Sequence, residues 1–403
     1  MTTHITRRNL TLLLALPSML GLTGCGGGNA SDSAGAAGQG DQLAAATSMV
    51  TTLDQSANPV YSLLNNYKSW LSTNKDATAA LAADVAKANN IVSWQMPHGG
   101  FYKDPGWYAA KWNGTAARSG WLGANGIELG TIDNQATVTE ILFLAQVYAR
   151  TGNPVYRDSA RKAVDFLLGM QYSTGGFPQV YPKRSTSYSN YVTFNDDAMV
   201  RVLMLFDGVI KNTTPLGGDL VTGEQRSRMQ LALNLAVNYI LRAQIVQNGV
   251  RTVWCAQHDP VTYAPLGARS YELPSKSGSE SARVVQFLMT RPQTAAVAAA
   301  TKAAIAWYRS PTTQIRDMSY ETSNSKATNT SPFVPKAGST LWYRFYDLHA
   351  DTGFFSGRLP TDNPPGTGKQ YDIMLIEPER RYGYQWAGAY GAPVIAYAAK
   401  VGY

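Results

Sequence analysis

Arg269 stands in the segment Ala268-Arg269-Ser270-Tyr271-Glu272, ten residues after the run Gln257-His258-Asp259. The stretch carries too much Pro and Gly to be ordinary helix, so a core-packing reason for the arginine is weak. A cation between aromatic and acidic neighbours in a loop is suited to an anionic ligand. Two acidic clusters hold comparable promise: Asp133-Asn134, inside Thr131-Ile132-Asp133-Asn134-Gln135-Ala136, and Asn195-Asp196-Asp197, inside Thr193-Phe194-Asn195-Asp196-Asp197-Ala198. Each suits a helix N-cap, because its side-chain oxygens can accept from orphan backbone N–H groups. Their recurrence favours a second use, since carboxylates converging on a cleft repel unless a cation or a shared proton intervenes. Oxygen-rich Asp/Asn sets suit a hard cation such as Ca²⁺. Transition-metal binding is poorly supported, with four histidines of which His4 lies in the N-terminal leader.

The remaining polar candidates are less specific. His258 beside Asp259 suits a general base or an orienting hydrogen-bond network. Arg344 alternates with aromatics in Leu341-Trp342-Tyr343-Arg344-Phe345-Tyr346, whereas Arg358 follows Phe354-Phe355-Ser356-Gly357 in a loop. Arginines clamp carboxylates with two parallel N–H donors, so several in one cleft suit a uronic-acid polymer. Lys103, after Gly99-Gly100-Phe101-Tyr102, can reach toward the same anion, while Glu379-Arg380-Arg381 reads as solvated or ion-paired structure. Cys255 reads as a buried thiol, having no base beside it except His258.

The elements that must position these residues recur along the chain. Helical runs over 79–94, 159–170 and 229–243 each end in a glutamine (Gln95, Gln171, Gln244), followed by a glycine turn. The glutamines lie 76 and 73 residues apart, room for two helices and two loops. A second repeat interleaves: the two acidic clusters, and then Ser277-Gly278-Ser279-Glu280-Ser281, each open a run that is apolar almost all round. Amphipathic runs such as 158–168 alternate with these inner helices. The expected fold is therefore all-α, an (α/α) toroid of inner and outer helices, with the polar pairs and glycine-rich loops gathered in a cleft at one mouth.

The N-terminus reads as an address. A basic start ending in Arg7-Arg8 and the apolar run Leu10 to Leu22 form an export signal too short to be a mature membrane span. Leu22-Thr23-Gly24-Cys25 resembles a lipoprotein cleavage site, which predicts a signal over 1–24 and a lipid on Cys25. A Gly/Ala/Ser-rich tether over 25–45 and one catalytic domain over 46–403 follow. The expected location is outside the cell, on the bacterial outer membrane or released from it. A net charge of +8 points to an anionic partner. The basic residues form no dense run and no nucleic-acid module is visible, so nucleic acid is excluded in favour of an acidic polysaccharide. The 23 Tyr and 9 Trp suit sugar stacking, and a monomer is expected.

Taken in order, the motifs resemble those of polysaccharide lyase family 10, the pectate lyases. The carriers include Trp94-Gln95 with Gly99-Gly100-Phe101, Thr131-Ile132-Asp133-Asn134, and Gly175-Gly176-Phe177-Pro178-Gln179 with Tyr181-Pro182. Thr193-Phe194-Asn195-Asp196-Asp197-Ala198-Met199, Thr252-Val253-Trp254, Ala268-Arg269 with Tyr271-Glu272, Glu280-Ser281, Arg344-Phe345-Tyr346 and Arg381 with Trp386 continue the series. The resemblance implies a toroid that cleaves α-1,4-linked polygalacturonate by Ca²⁺-dependent anti-β-elimination, leaving 4,5-unsaturated oligogalacturonides. It implies that Asp133 and Asp196 hold Ca²⁺ with Asn134 beside them, that Arg269 is the Brønsted base, and that Arg344 and Arg358 bind substrate carboxylates. Lys103, His258, Asp259 and Tyr271 are expected to line the substrate. The chain departs from the family pattern in the Pro/Gly-rich stretch Leu359 to Gly368, and in Phe101 and Phe177 where Trp is frequent.

An arginine base must shed a proton whose ordinary pKa is about 12.5 to 13.8, so the resemblance predicts an alkaline optimum. Two competing readings make different products. An inverting glycoside hydrolase using Asp133 with Asp196 or Asp197 releases saturated sugars without calcium. A non-catalytic pectin-binding lipoprotein binds the polymer and leaves it intact.

Overall fold

Ten helices organise the computed structural model, which describes residues 55–358 and 368–403. The expected signal, Cys25 and the tether lie outside the described residues, as does the stretch from Leu359 to Thr367. In chain order the helices are α1 (Ala77–Trp94), α2 (Val138–Thr151), α3 (Pro154–Met170), α4 (Ala198–Ile210) and α5 (Gly223–Ala243). They continue with α6 (Glu280–Leu288), α7 (Ala295–Arg309), α8 (Thr322–Thr328), α9 (Pro378–Gly383) and α10 (Ala392–Lys400).

Two layers separate by burial. In α4 every residue from Ala198 to Val209 is buried, in α2 every residue from Val138 to Ala145, and in α6 all but Arg283. Helices apolar all round must have protein on every side, and these three neighbour one another in the order α2, α4, α6. Helices α1, α3, α5 and α7 form the second row, each touching the next, with α2 packed on α3, α4 on α5 and α6 on α7. Local signals start the outer helices: Asp76, Asn153 and Thr294 cap α1, α3 and α7, and Thr222 with Gln225 closes a capping box on α5.

The repeated glutamines join the outer helices to one another. Gln95, which ends α1, donates from Nε2 to Gly99 O at 2.8 Å and to Ser159 O of α3 at 2.9 Å. Gln171, which ends α3, donates to Gly175 O at 2.9 Å and to Ala232 O of α5 at 2.8 Å. Gln244, which ends α5, donates to Thr252 O at 2.9 Å and to Ala300 O of α7 at 3.0 Å. Each side chain thus folds its own turn and fastens it to the next repeat. Gly99 and Gly175 have φ of +95° and +104°, and a Cβ on either would lie 2.2 or 2.1 Å from a backbone oxygen of α3 or α5. Only glycine fits both demands.

The helical expectation holds, with five small sheets added among the described residues. Most are ladders of two residues a strand, too short to leave an alternating pattern in the sequence. They pair the segments that lead into the inner helices: Gly130–Thr131 with Val180–Tyr181 before α2, Val192–Thr193 with Gln257–His258 before α4, and Lys276–Ser277 with Phe345–Tyr346 before α6. The one long pair, Ile315–Tyr320 with Phe333–Tyr343, carries α8 between its strands. The aromatic residues before Arg344 lie at the end of this pair's second strand.

Candidate active site

The two acidic clusters fold into the same turn. Ile132 (φ −107°, ψ 3°) and Asn134 (φ 48°, ψ 34°) are matched by Phe194 (φ −95°, ψ −11°) and Asp196 (φ 53°, ψ 28°). Asp133 therefore occupies the place of Asn195, and Asn134 the place of Asp196. Left-handed backbone at a residue other than glycine costs on the order of 1–3 kcal/mol and gathers at functional sites. Neither α2 nor α4 receives a side-chain cap at its first turn. These acidic groups are thus not caps, and their side chains take other partners. Thr131 braces the first turn, its Oγ1 accepting from Asp133 N at 2.9 Å and donating to Gln179 O at 2.7 Å. Ala256 O braces the second, accepting from Phe194 N at 2.8 Å and Asn195 N at 3.1 Å.

Asp133 is buried and ion-paired with Lys103, whose ammonium lies 4.5 Å from the Trp121 ring centre. Asp196 lies 3.9 Å from Arg344 and accepts from Asn195 Nδ2 at 2.8 Å. Burial raises its pKa; Arg344 opposes the rise, while the charges of Glu280, Asp133 and Glu272 add to it. Carboxyl groups from three other segments therefore act on Asp196. Asp197, next in sequence, faces Arg283 at 3.6 Å and Arg201 at 3.8 Å. Burial lifts it to about 6 against the pull of those two arginines.

Arg344 joins this set from the loop after the long strand. It is ion-paired with the fully buried Glu280 at the start of α6, and donates to Asn195 Oδ1 at 3.3 Å. Burial works to lower its pKa, but Glu280 and its neighbours outweigh that and hold it above the ordinary arginine range. Asn134, Gln135, Asp196, Asp197, Arg201, Ser279, Glu280 and Arg344 line one charged cavity.

Arg269 pairs in the same manner with Glu272, its Nε donating to Oε2 at 2.7 Å, and Tyr384 donates its hydroxyl to Oε1 at 2.9 Å. Burial pulls the Arg269 pKa down, yet the Glu272 hydrogen bonds and charge prevail and leave it raised. The guanidiniums of Arg269, Arg358 and Arg380 lie 4.8, 4.6 and 4.7 Å from the centre of the Tyr271 ring. Tyr271 is therefore the buried floor of an arginine cluster, with an unpartnered hydroxyl. Arg380, read from sequence as solvated or paired structure, pairs with Glu379 and is buried within this cluster. The sequence gives Tyr384 no role of its own, since its spacing from Glu272 carries no local signal.

His258 and Asp259 require correction. His258 is fully buried: its Nε2 accepts from Cys255 N at 2.9 Å, and its Nδ1 bonds Tyr263 O at 2.9 Å. Burial lowers its pKa to about 4, so it stays neutral and fastens a loop. Asp259 accepts from Val261 N at 2.8 Å and Thr262 N at 2.7 Å, organising a turn outside the arginine cluster. Cys255 is buried, and its raised pKa fits an inert thiol.

Among the described residues, no three His, Cys, Asp or Glu side chains gather closely enough to hold a metal ion by themselves. The arrangement is a set of paired charges, with carboxylates on two matched turns, Arg201, Arg283 and Arg344 beside the second, and Arg269, Arg358 and Arg380 around the Tyr271 ring. Such a surface can seat a polyanion and polarise one of its carboxylates.

The signature of the pectic acid lyase family matches residues 95–395. A family 10 polysaccharide lyase from Cellvibrio cellulosa is 42% identical, with a TM-score of 0.74 over 87% of this chain and 98% of its own. An aspartate-to-alanine mutant of a family 10 polysaccharide lyase from the same organism, in complex with trigalacturonic acid, matches with the same identity and TM-score over 87% and 99%. No curated protein matches.

Proposed function

Starting from the fact that the chain belongs to the pectic acid lyase family and is a pectate lyase, we propose that its cleft cleaves α-1,4-linked polygalacturonate by anti-β-elimination with Arg269 as base. The observation that carries this reading is the meeting of two kinds of group. Asp133 and Asp196 stand on matched strained turns, and Arg269, Arg344 and Arg358 surround aromatic rings nearby.

The donor set fits a hard cation in part. Asp133, Asn134 and Asp196 offer oxygens of the kind Ca²⁺ prefers, and the absence of a three-carboxylate cage among the described residues leaves positions for water and substrate carboxylates. Ca²⁺ would supply charge withdrawal from the uronate carboxylate beside the reacting carbon. Lys103, which pairs with Asp133, stands beside this donor set.

The chain's own residues do the rest. Arg344, fixed by Glu280, orients a substrate carboxylate, and Arg358 clamps another. Arg269 accepts the C5 proton, the C5–H electron pair becomes the C4=C5 double bond, and the C4 glycosidic oxygen leaves on the opposite face and takes a proton from water. The resting pair with Glu272 favours the protonated form, so turnover requires substrate to part them or to neutralise Glu272. The two helical rows close as an (α/α) toroid around this cleft. The protein acts as an exported monomer, carried by the leader and held by lipid on Cys25; no helix among the described residues is long and apolar enough to cross a membrane.

Ultraviolet absorbance on polygalacturonate, with and without a calcium chelator, tests the reaction. Unsaturated product that vanishes with chelator is expected. Saturated sugars, or chelator-resistant turnover, would overturn the elimination or the calcium role respectively.

A further inference from the structure

A second cavity shares Asn134 and Gln135 with the charged one and differs from it in chemistry. Its other polar lining is Asn65, Asn66, Ser69, Thr139 and Glu140, with the indole of Trp70. Lys103 reaches it too, but its ammonium is committed to Asp133. Carboxamide forks, hydroxyls and one half-buried indole are the set that grips vicinal hydroxyls and the apolar face of a pyranose.

Glu140 adds an observation independent of that composition. It is only 2% exposed, and its Oε1 accepts from the Tyr108 hydroxyl at 2.8 Å. Its Oε2 is buried with no partner. A buried carboxyl oxygen without a partner is costly unless a ligand or water meets it, and Glu140 is among the residues that line the cavity. Burial lifts Glu140 to about 7, opposed by the Tyr108 bond and by the backbone N–H groups of Glu140 and Thr137. In either protonation state it bonds a sugar hydroxyl, and ionised it repels a carboxylate.

Resting on the pectate lyase reading, we propose that this cavity is a subsite for an uncharged sugar unit of the substrate chain, contiguous with the charged cleft through Asn134 and Gln135. A methyl-esterified galacturonosyl unit and a neutral galactosyl unit share that chemistry.

Nuclear magnetic resonance of the Trp70 indole tests it, with three probes: methyl galactopyranoside, methyl galactopyranosiduronate, and the methyl ester of the latter. The neutral sugar and the ester are expected to shift the indole signal at concentrations about tenfold below the free acid, and the better of the two identifies the source. Ser69→Lys, at an exposed position, adds a cation to the rim and is expected to reverse that order, with the indole signal itself reporting that the fold is kept. Equal response to acid and neutral probes, or no response from any while trigalacturonate still binds, overturns the proposal. If trigalacturonate does not bind and no unsaturated product forms, it is the lyase reading that fails.

Discussion

Two arginine–glutamate pairs lie within electrostatic reach of Asp196, and water reaches them very differently. In the Arg344–Glu280 pair the side chains are 11% and 3% exposed; in the Arg269–Glu272 pair they are 41% and 5% exposed. Both glutamates are buried, so each needs its arginine. Only Arg269 keeps a face to solvent from which it can meet a substrate. A locked pair makes a permanent cation suited to orienting a carboxylate, while a half-open pair can exchange partners during turnover. The same chemistry thus serves positioning in one place and reaction in the other, and burial decides which.

The sharpest test of that division is Arg269→Ala. Loss of a general base lowers rates by about 10²- to 10⁴-fold; Glu272 is buried but keeps the Tyr384 hydroxyl, and water can enter where the half-exposed Arg269 stood, so the stability cost is smaller than at Arg344. We expect elimination to fall by that factor while gel-shift affinity for polygalacturonate holds and the unfolding midpoint drops by less than in Arg344→Ala. Weakened binding with residual turnover would make Arg269 a clamp and erase the contrast with Arg344.

Arg344→Ala is expected to behave in the opposite way. Removing one member of a buried pair leaves Glu280 uncompensated, at a cost of about 3–5 kcal/mol. Denaturant unfolding should register that loss, and Arg344→Met combined with Glu280→Gln should restore most of the stability without restoring turnover. If the single variant unfolds like wild type, the pair is not locked.

How much of this was legible beforehand follows from the range over which each contact acts. The glutamine–glycine repeat was readable because Gln95 and Gln171 each bond a glycine four residues on, so the device leaves a local pattern. The acidic repeat was readable as a recurrence, but its register was not: Asp133 matches Asn195 and not Asp196, a correspondence fixed by left-handed backbone at Asn134 and Asp196. Glu280 meets Arg344 across 64 residues and Glu272 meets Tyr384 across 112, distances that no spacing rule spans. His258 misled for the complementary reason. Ten or so residues separate it from Arg269, yet the ladder Val192–Thr193 with Gln257–His258 draws it into the core.

Glu272→Gln probes the half-open pair itself. With the negative charge gone, the guanidinium is less favoured, so the Arg269 pKa falls. A base that works only when deprotonated is then available at lower pH, and the rising limb of the pH–rate profile should move toward neutrality. An unmoved limb would show that Glu272 does not set the state of Arg269 during turnover.

The smallest effect is expected at Arg358. Its side chain is 44% exposed and pairs with the still more exposed Glu379, with Nε to Oε2 at 3.1 Å. Water screens such a contact, so it contributes little to stability and a modest amount to holding a substrate carboxylate. Arg358→Ala should raise KM by a few fold, leave kcat within about twofold, and lose its effect at high salt, since screening weakens exposed charge pairs first. Initial rates on polygalacturonate at two ionic strengths measure this directly. A fall in kcat comparable to that of Arg269→Ala would place Arg358 at the reacting carbon, and exposure would then no longer distinguish the arginine that reacts from those that hold.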